Sequence, residues 1–130
     1  MHNFTPTLTE WPFLYRLRSF LEGGVPLAGS SDAPYVGIDP WAAIGAAMNR
    51  RTRRGELLGV SESLTPEEAI ALYLVDPMDL RTCRTIKVGA PADICLLDQP
   101  WTKVRDKPSA EHVRLTMIGG VEVHNRDARL

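Results

Sequence analysis

The chain has 130 residues, 44% hydrophobic and 24% charged, with a formal net charge of -1. One-domain length and ample apolar material exclude a disordered chain, and near-neutral charge gives no electrostatic basis for binding nucleic acid or an anionic membrane. No apolar run approaches the roughly 20 residues of a membrane span, and Met1–Pro6 carries no signal-peptide pattern.

In chain order, residues 11–22 predict a first helix. Phe13, Leu14, Leu17, Phe20 and Leu21 fall on one stripe, Thr9 is the expected N-cap, Pro12 fits an early position, and Gly23-Gly24 ends it. Val25–Gly29 is a short apolar run without alternation, the pattern of a strand buried on both faces, with Pro26 near its start. Ser30-Ser31-Asp32-Ala33-Pro34 follows as a turn-forming loop. A second helix opens at Asp39-Pro40, with Trp41, Ile44 and Met48 on one face and alanines allowing close packing. Arg50–Gly55 closes it, its cations suiting the helix C-terminus.

The third helix has the clearest start. Thr65-Pro66-Glu67-Glu68 is a capping box, Leu64 can staple to Ala69, and Ile70, Tyr73 and Leu74 form the expected buried stripe; Pro77 ends the helix near Asp76. Arg84–Gly89 then leads to a turn. Strands are expected over 92–97, 112–118 and 121–124, the last two joined by a Gly119-Gly120 hairpin turn. Helices give way to strands near residue 82, which predicts two segments, 1–81 and 82–130. This order suits the tail of an α/β barrel followed by an accessory sheet; a fragment of an open α/β sandwich suits it nearly as well.

Few residues carry chemistry on local grounds. Asp32 alone reads as a turn residue. His112 and His124 read as strand residues, solvated or half-buried, and Arg50, Arg51, Arg53 and Arg54 as a solvated helix end. Trp41 and Trp101 read as packing residues. Ser30 and Ser31 have no partner base in sight. Cys83 and Cys95 form no C-x-x-C pair, so they are expected to be reduced thiols in the cytoplasm.

Taken together, Gly24-Val25-Pro26, Gly29–Pro34, Asp39-Pro40-Trp41 with Arg50, Leu64–Ala69, Val88-Gly89 with Pro91-Ala92-Asp93, Leu96-Leu97-Asp98, and Thr116 through Gly119-Gly120-Val121 and Val123 resemble, in order and spacing, the C-terminal part of the amidohydrolase superfamily, most closely the amidohydrolase-3 family. The resemblance implies an α/β fold, and the match of Arg50 to a family position offers a structural role for that residue beside the solvated one. Residues 1–81 would be the last βα unit or units of a TIM-like (β/α)8 metal-dependent hydrolase barrel, and 82–130 strands of a small composite β-sandwich domain. The barrel would be incomplete, since a whole one needs about 200 residues or more.

The resemblance also implies hydrolysis of a non-peptide carbon–nitrogen bond (amide, N-acyl or N-formyl) through water activated by a divalent metal, usually zinc. Asp32 matches the aspartate that ends the last barrel strand, ligates metal and carries the proton. The family's His-x-His pair, bridging lysine or carboxylate and later histidines lie upstream of the matched part. Of the histidines present, His2, His112 and His124, none is placed to replace them, and Met78–Arg84 departs from the family's small-residue stretch. The expectation is therefore a fragment, inactive alone, that self-associates as a homo-oligomer or complements the missing barrel segment. The rival readings are a non-catalytic interaction module and one subunit of a split enzyme.

Overall fold

A computed structural model describes residues 9–128. Its helices are α1 (Leu17–Glu22), α2 (Pro40–Asn49), α3 (Pro66–Ala71) and the short α4 (Trp101–Val104); its strands are β1 (Ile94–Leu97), β2 (Val113–Ile118) and β3 (Val121–Asn125). Single 3-10 turns lie at Trp11–Phe13, Val60–Glu62 and Ala110–His112.

The expected first helix is split. Tyr15 takes a left-handed φ of 51°, which an α-helix cannot propagate. Residues 11–13 form a 3-10 turn that starts from Glu10 rather than Thr9, and only 17–22 are α-helical. The stripe divides accordingly: Leu17 and Leu21 pack on the core, while Phe13 and Phe20 are exposed.

The second helix follows its expected start, with the Asp39 carboxylate accepting the Trp41 amide at 2.9 Å and Pro40 in the first turn. It ends where Arg50 turns left-handed, φ 50°, its amide donating to the Ala46 carbonyl. In α3 the capping box is complete: the Glu68 amide donates to Thr65 Oγ1, and Glu68 Oε2 accepts the Thr65 amide at 2.7 Å. Its helical part is shorter than expected. Leu72 takes the buried place assigned to Leu74, which is 40% exposed.

Ile44 and Ala47 of α2, Leu64, Ala69 of α3 and Leu72 form the core, with Leu27, Trp41, Met48, Ile70 and Tyr73 packed around it. Ile44 is 2% exposed, a burial that contributes about 2–3 kcal/mol. α1 is tied on by Arg18, whose guanidinium grips both Glu68 oxygens at 2.5 and 2.6 Å and donates to the Ser63 carbonyl.

The strand expected over Val25–Gly29 does not form. A strand exists through its ladder, and among the described residues this run has no neighbouring strand; its backbone bonds are Val25 amide to Phe20 carbonyl, 2.9 Å, and Gly29 amide to Leu72 carbonyl, 2.8 Å, both to helical segments or their ends. The other strands do form, as one antiparallel sheet in the order β1-β2-β3. Gly119 and Gly120 both have positive φ, 56° and 81°, the requirement of a two-residue hairpin turn whose twist matches its strands. Asp93 holds that turn by accepting the Gly119 amide at 2.8 Å, and the Ala92 carbonyl accepts the Gly120 amide. Asp98 closes the opposite end, pairing with His112 Nδ1 and Arg126, each at 3.0 Å. Glu67 of α3 links helices to the second half by accepting from Arg105 at 2.9 Å and from the Trp101 indole.

Candidate functional site

The loop carrying Asp32 is shaped by local bonds. Ser30 Oγ accepts the Asp32 amide at 3.4 Å, and the Asp32 carbonyl accepts the Tyr35 amide at 3.1 Å, closing a turn across the cis Ala33–Pro34 peptide. Asp32 has a φ of 53°, a left-handed conformation that Asp tolerates better than most residues because its short polar side chain compensates locally. Among the described residues its carboxylate has no hydrogen-bond partner, and it stands in water.

Behind the loop the chain is set by Gly29. A Cβ built there would lie 2.5 Å from the Tyr73 ring, inside any real contact, so only glycine lets Tyr73 pack against the run leading to Asp32. Burial and Asp39 raise the Tyr73 phenol above its ordinary value. A depression of about 600 Å3 opens beside this run, with Ala28, Ala43, Ala47, Leu72, Arg50 and Arg53 among its lining residues.

Arg50 departs from the solvated reading. It is 5% exposed, and its guanidinium donates to the carbonyls of Leu58 at 2.9 Å, Gly59 at 3.3 Å and Leu14 at 2.7 Å. Burial lowers its pKa, but an arginine starts so high that it stays charged. Its role is to tie the segment after α2 to the chain before α1. Arg51, Arg53 and Arg54 are exposed, as expected. Glu62, also buried, accepts from the backbone and hydroxyl of Ser19, which hold its carboxyl below the usual range. The match of Arg50 to a family position was its signal in the sequence; nothing local pointed to the Ser19–Glu62 or Arg18–Glu68 pairs, whose partners lie far apart in sequence.

Among the described residues Asp32 belongs to no cluster of metal donors. Among the described residues no group of three or more His, Cys, Asp or Glu is arranged to hold a metal, and a metal centre needs about three protein ligands. His112 stands at the start of the sheet, pairs with Asp98 and is a sheet clamp; His124 is exposed on β3. His2 lies outside the described residues. These residues therefore do not fit a complete metal centre. Cys83 and Cys95 are free thiols, and among the described residues no helix is long and apolar enough to cross a membrane.

The model of the amidohydrolase family matches residues 2–124. Among curated proteins, the N-substituted formamide deformylase of Arthrobacter pascens is 29% identical over 90 residues, covering 66% of this chain and 17% of that protein. The chain thus spans a small part of the length of the relative it matches. No solved structure gives a significant match.

Proposed function

Because the chain belongs to the amidohydrolase family, we propose that it is the C-terminal part of a hydrolase that breaks non-peptide carbon–nitrogen bonds of small amide-type substrates, N-acyl or N-formyl compounds among them. The family match carries this reading, and the deformylase relative supports the bond type. The division into barrel segment 1–81 and composite-sheet segment 82–130 belongs to the same proposal, as does a cytoplasmic location, which the free thiols support.

Asp32 is the residue we assign to the active centre of that hydrolase, as ligand to a divalent cation, zinc in this reading, and as proton carrier. Two observations support it: the carboxylate is exposed at the end of the Val25–Ser31 run, and no fold-stabilising bond engages it. A lone carboxylate does not hold zinc at stoichiometric level. The remaining donors must come from polypeptide other than residues 9–128, and this chain alone is expected to be inactive.

The test is to equilibrate the purified chain with zinc, measure bound metal, and assay release of formate or acyl acid from N-substituted amides. The expected result is metal far below one per chain and no turnover. Stoichiometric zinc, or turnover abolished by Asp32→Asn, refutes the inactivity of the isolated chain. A reading frame upstream of Met1 encoding a His-x-His segment supports the fragment reading; its absence, with no zinc bound, leaves a non-catalytic module.

A further inference from the structure

We propose that Tyr73 is a positioning residue for Asp32: its ring, seated against Gly29, sets where the run from Val25 delivers the Asp32 loop. The inference rests on the assignment of Asp32 to an active centre. Gly29 is fixed to the end of α3 in two ways. Its amide donates to the Leu72 carbonyl at 2.8 Å. The Tyr73 ring fills the space beside it, with ring carbons 2.5, 2.6 and 3.0 Å from a Cβ built on Gly29. From residue 26 to residue 34, within the described residues, that amide is the one backbone group bonded to another element. The other bonds of the segment are local, the Asp32 amide to Ser30 Oγ and the Tyr35 amide to the Asp32 carbonyl. Gly29 is thus the last tie to the helices before Asp32, and a stretch of three residues spans at most about 10 Å. The placement of the loop follows the Gly29 contact.

The end of α3 is a firm base for that contact. The helix is held at its start by the Thr65–Glu68 capping box and by Arg18 on Glu68. At its end Leu72 is 8% exposed, the Tyr73 amide donates to the Ile70 carbonyl at 3.0 Å, and Tyr73 packs against the core. A functional group is held in place by neighbours whose own positions are locked by packing. Burial and Asp39 raise the Tyr73 phenol above its ordinary value, so it is neutral near pH 7 and acts by its shape. In an assembled active centre a misplacement of about 1 Å costs about hundredfold in rate, which is how a packing contact three residues back reaches the chemistry.

NMR-detected amide exchange of the 130-residue chain reads the contact, with the buried Ala69 of α3, whose amide donates to the Thr65 carbonyl, as internal reference. Tyr73→Leu should raise the exchange rate of the Gly29 amide relative to Ala69 about tenfold, and should move the amide resonances of Ser30, Ser31 and Asp32. Tyr73→Phe keeps the ring and should do neither. A merely structural role would speed both amides alike; an unchanged ratio overturns the proposal. So do Ser30–Asp32 resonances that stay in place in Tyr73→Leu, or a Tyr73→Phe chain as disturbed as Tyr73→Leu. If Tyr73→Leu loses its helical circular-dichroism signal, the nuclear Overhauser contact between the Tyr73 ring and the Gly29 α protons of the unaltered chain decides: its presence supports the seat and its absence overturns it. None of these readouts involves turnover, so the placement can fail while the assignment of Asp32 stands. That assignment falls separately, if Asp32→Asn destabilises the fold.

Discussion

Replacing Glu68 by Gln isolates the charge that ties α1 to α3. Glutamine keeps the shape and retains a capping oxygen for the Thr65 amide, but the Arg18 guanidinium then faces a neutral amide instead of a carboxylate at 2.5 and 2.6 Å. The Arg18 bond, then the Thr65 amide, hold the Glu68 carboxyl down from 4.5 to about 2. By linkage, at 1.36 kcal/mol per pH unit, that difference has a ceiling of about 3 kcal/mol. A third of the Glu68 side chain remains in water, and solvent screening brings the expected loss to about 1–2 kcal/mol. For a chain of this length that lowers Tm by roughly 4–8 °C.

The direction with pH follows from the depressed carboxyl. Above the unfolded value of 4.5 both states are ionised and the contribution is complete. Between 4.5 and about 2 the unfolded chain binds the proton first, and the contribution is lost as pH falls. Urea titrations of Glu68→Gln and the unaltered chain, at pH 7 and stepwise toward pH 3, measure the gap. It should be full at pH 7 and narrow below 4.5. Equal stability at pH 7, or a gap that stays constant across the acid range, refutes the reasoning.

Other substitutions test separate parts of the structure. Arg50→Met should cost about 2–4 kcal/mol, because the Leu14, Leu58 and Gly59 carbonyls lose their donor. Arg50→Lys should recover only part of this, since one ammonium cannot span the fork; chemical denaturation checks both. Gly29→Ala should cost about 1–3 kcal/mol by driving a methyl into the Tyr73 ring. Pairing it with Tyr73→Ala should recover some of that loss in the same denaturation experiment, and additive costs would show that no clash exists. Asp32→Asn should leave thermal stability within about 0.5 kcal/mol, because its side chain supports no fold contact; a larger loss would make Asp32 structural and remove the basis for assigning it to an active centre.

Elements whose signals lie within a few residues were legible in the sequence. Thr65 and Glu68 meet across one helical turn, Asp39 caps the helix it precedes, and two glycines with positive φ make the hairpin between β2 and β3. In each case the hydrogen-bond partners are sequence neighbours, so spacing dictates geometry. The family motif was legible too, because order along the chain survives whatever the tertiary contacts become. It located Asp32 without showing what surrounds it.

Tertiary structure decided what depends on distant partners. Val25–Gly29 has the composition of a buried strand, but a strand also requires a neighbour, and the described residues provide none. Arg50 has the local context of a solvated helix end, yet its left-handed turn carries the guanidinium inward to carbonyls from before α1 and after α2. His112 and Asp98 became a sheet clamp through the β1–β2 pairing. Among the described residues Asp32 joins no group of three or more metal donors, because convergence of ligands is a property of three-dimensional proximity that a single motif in one chain does not create.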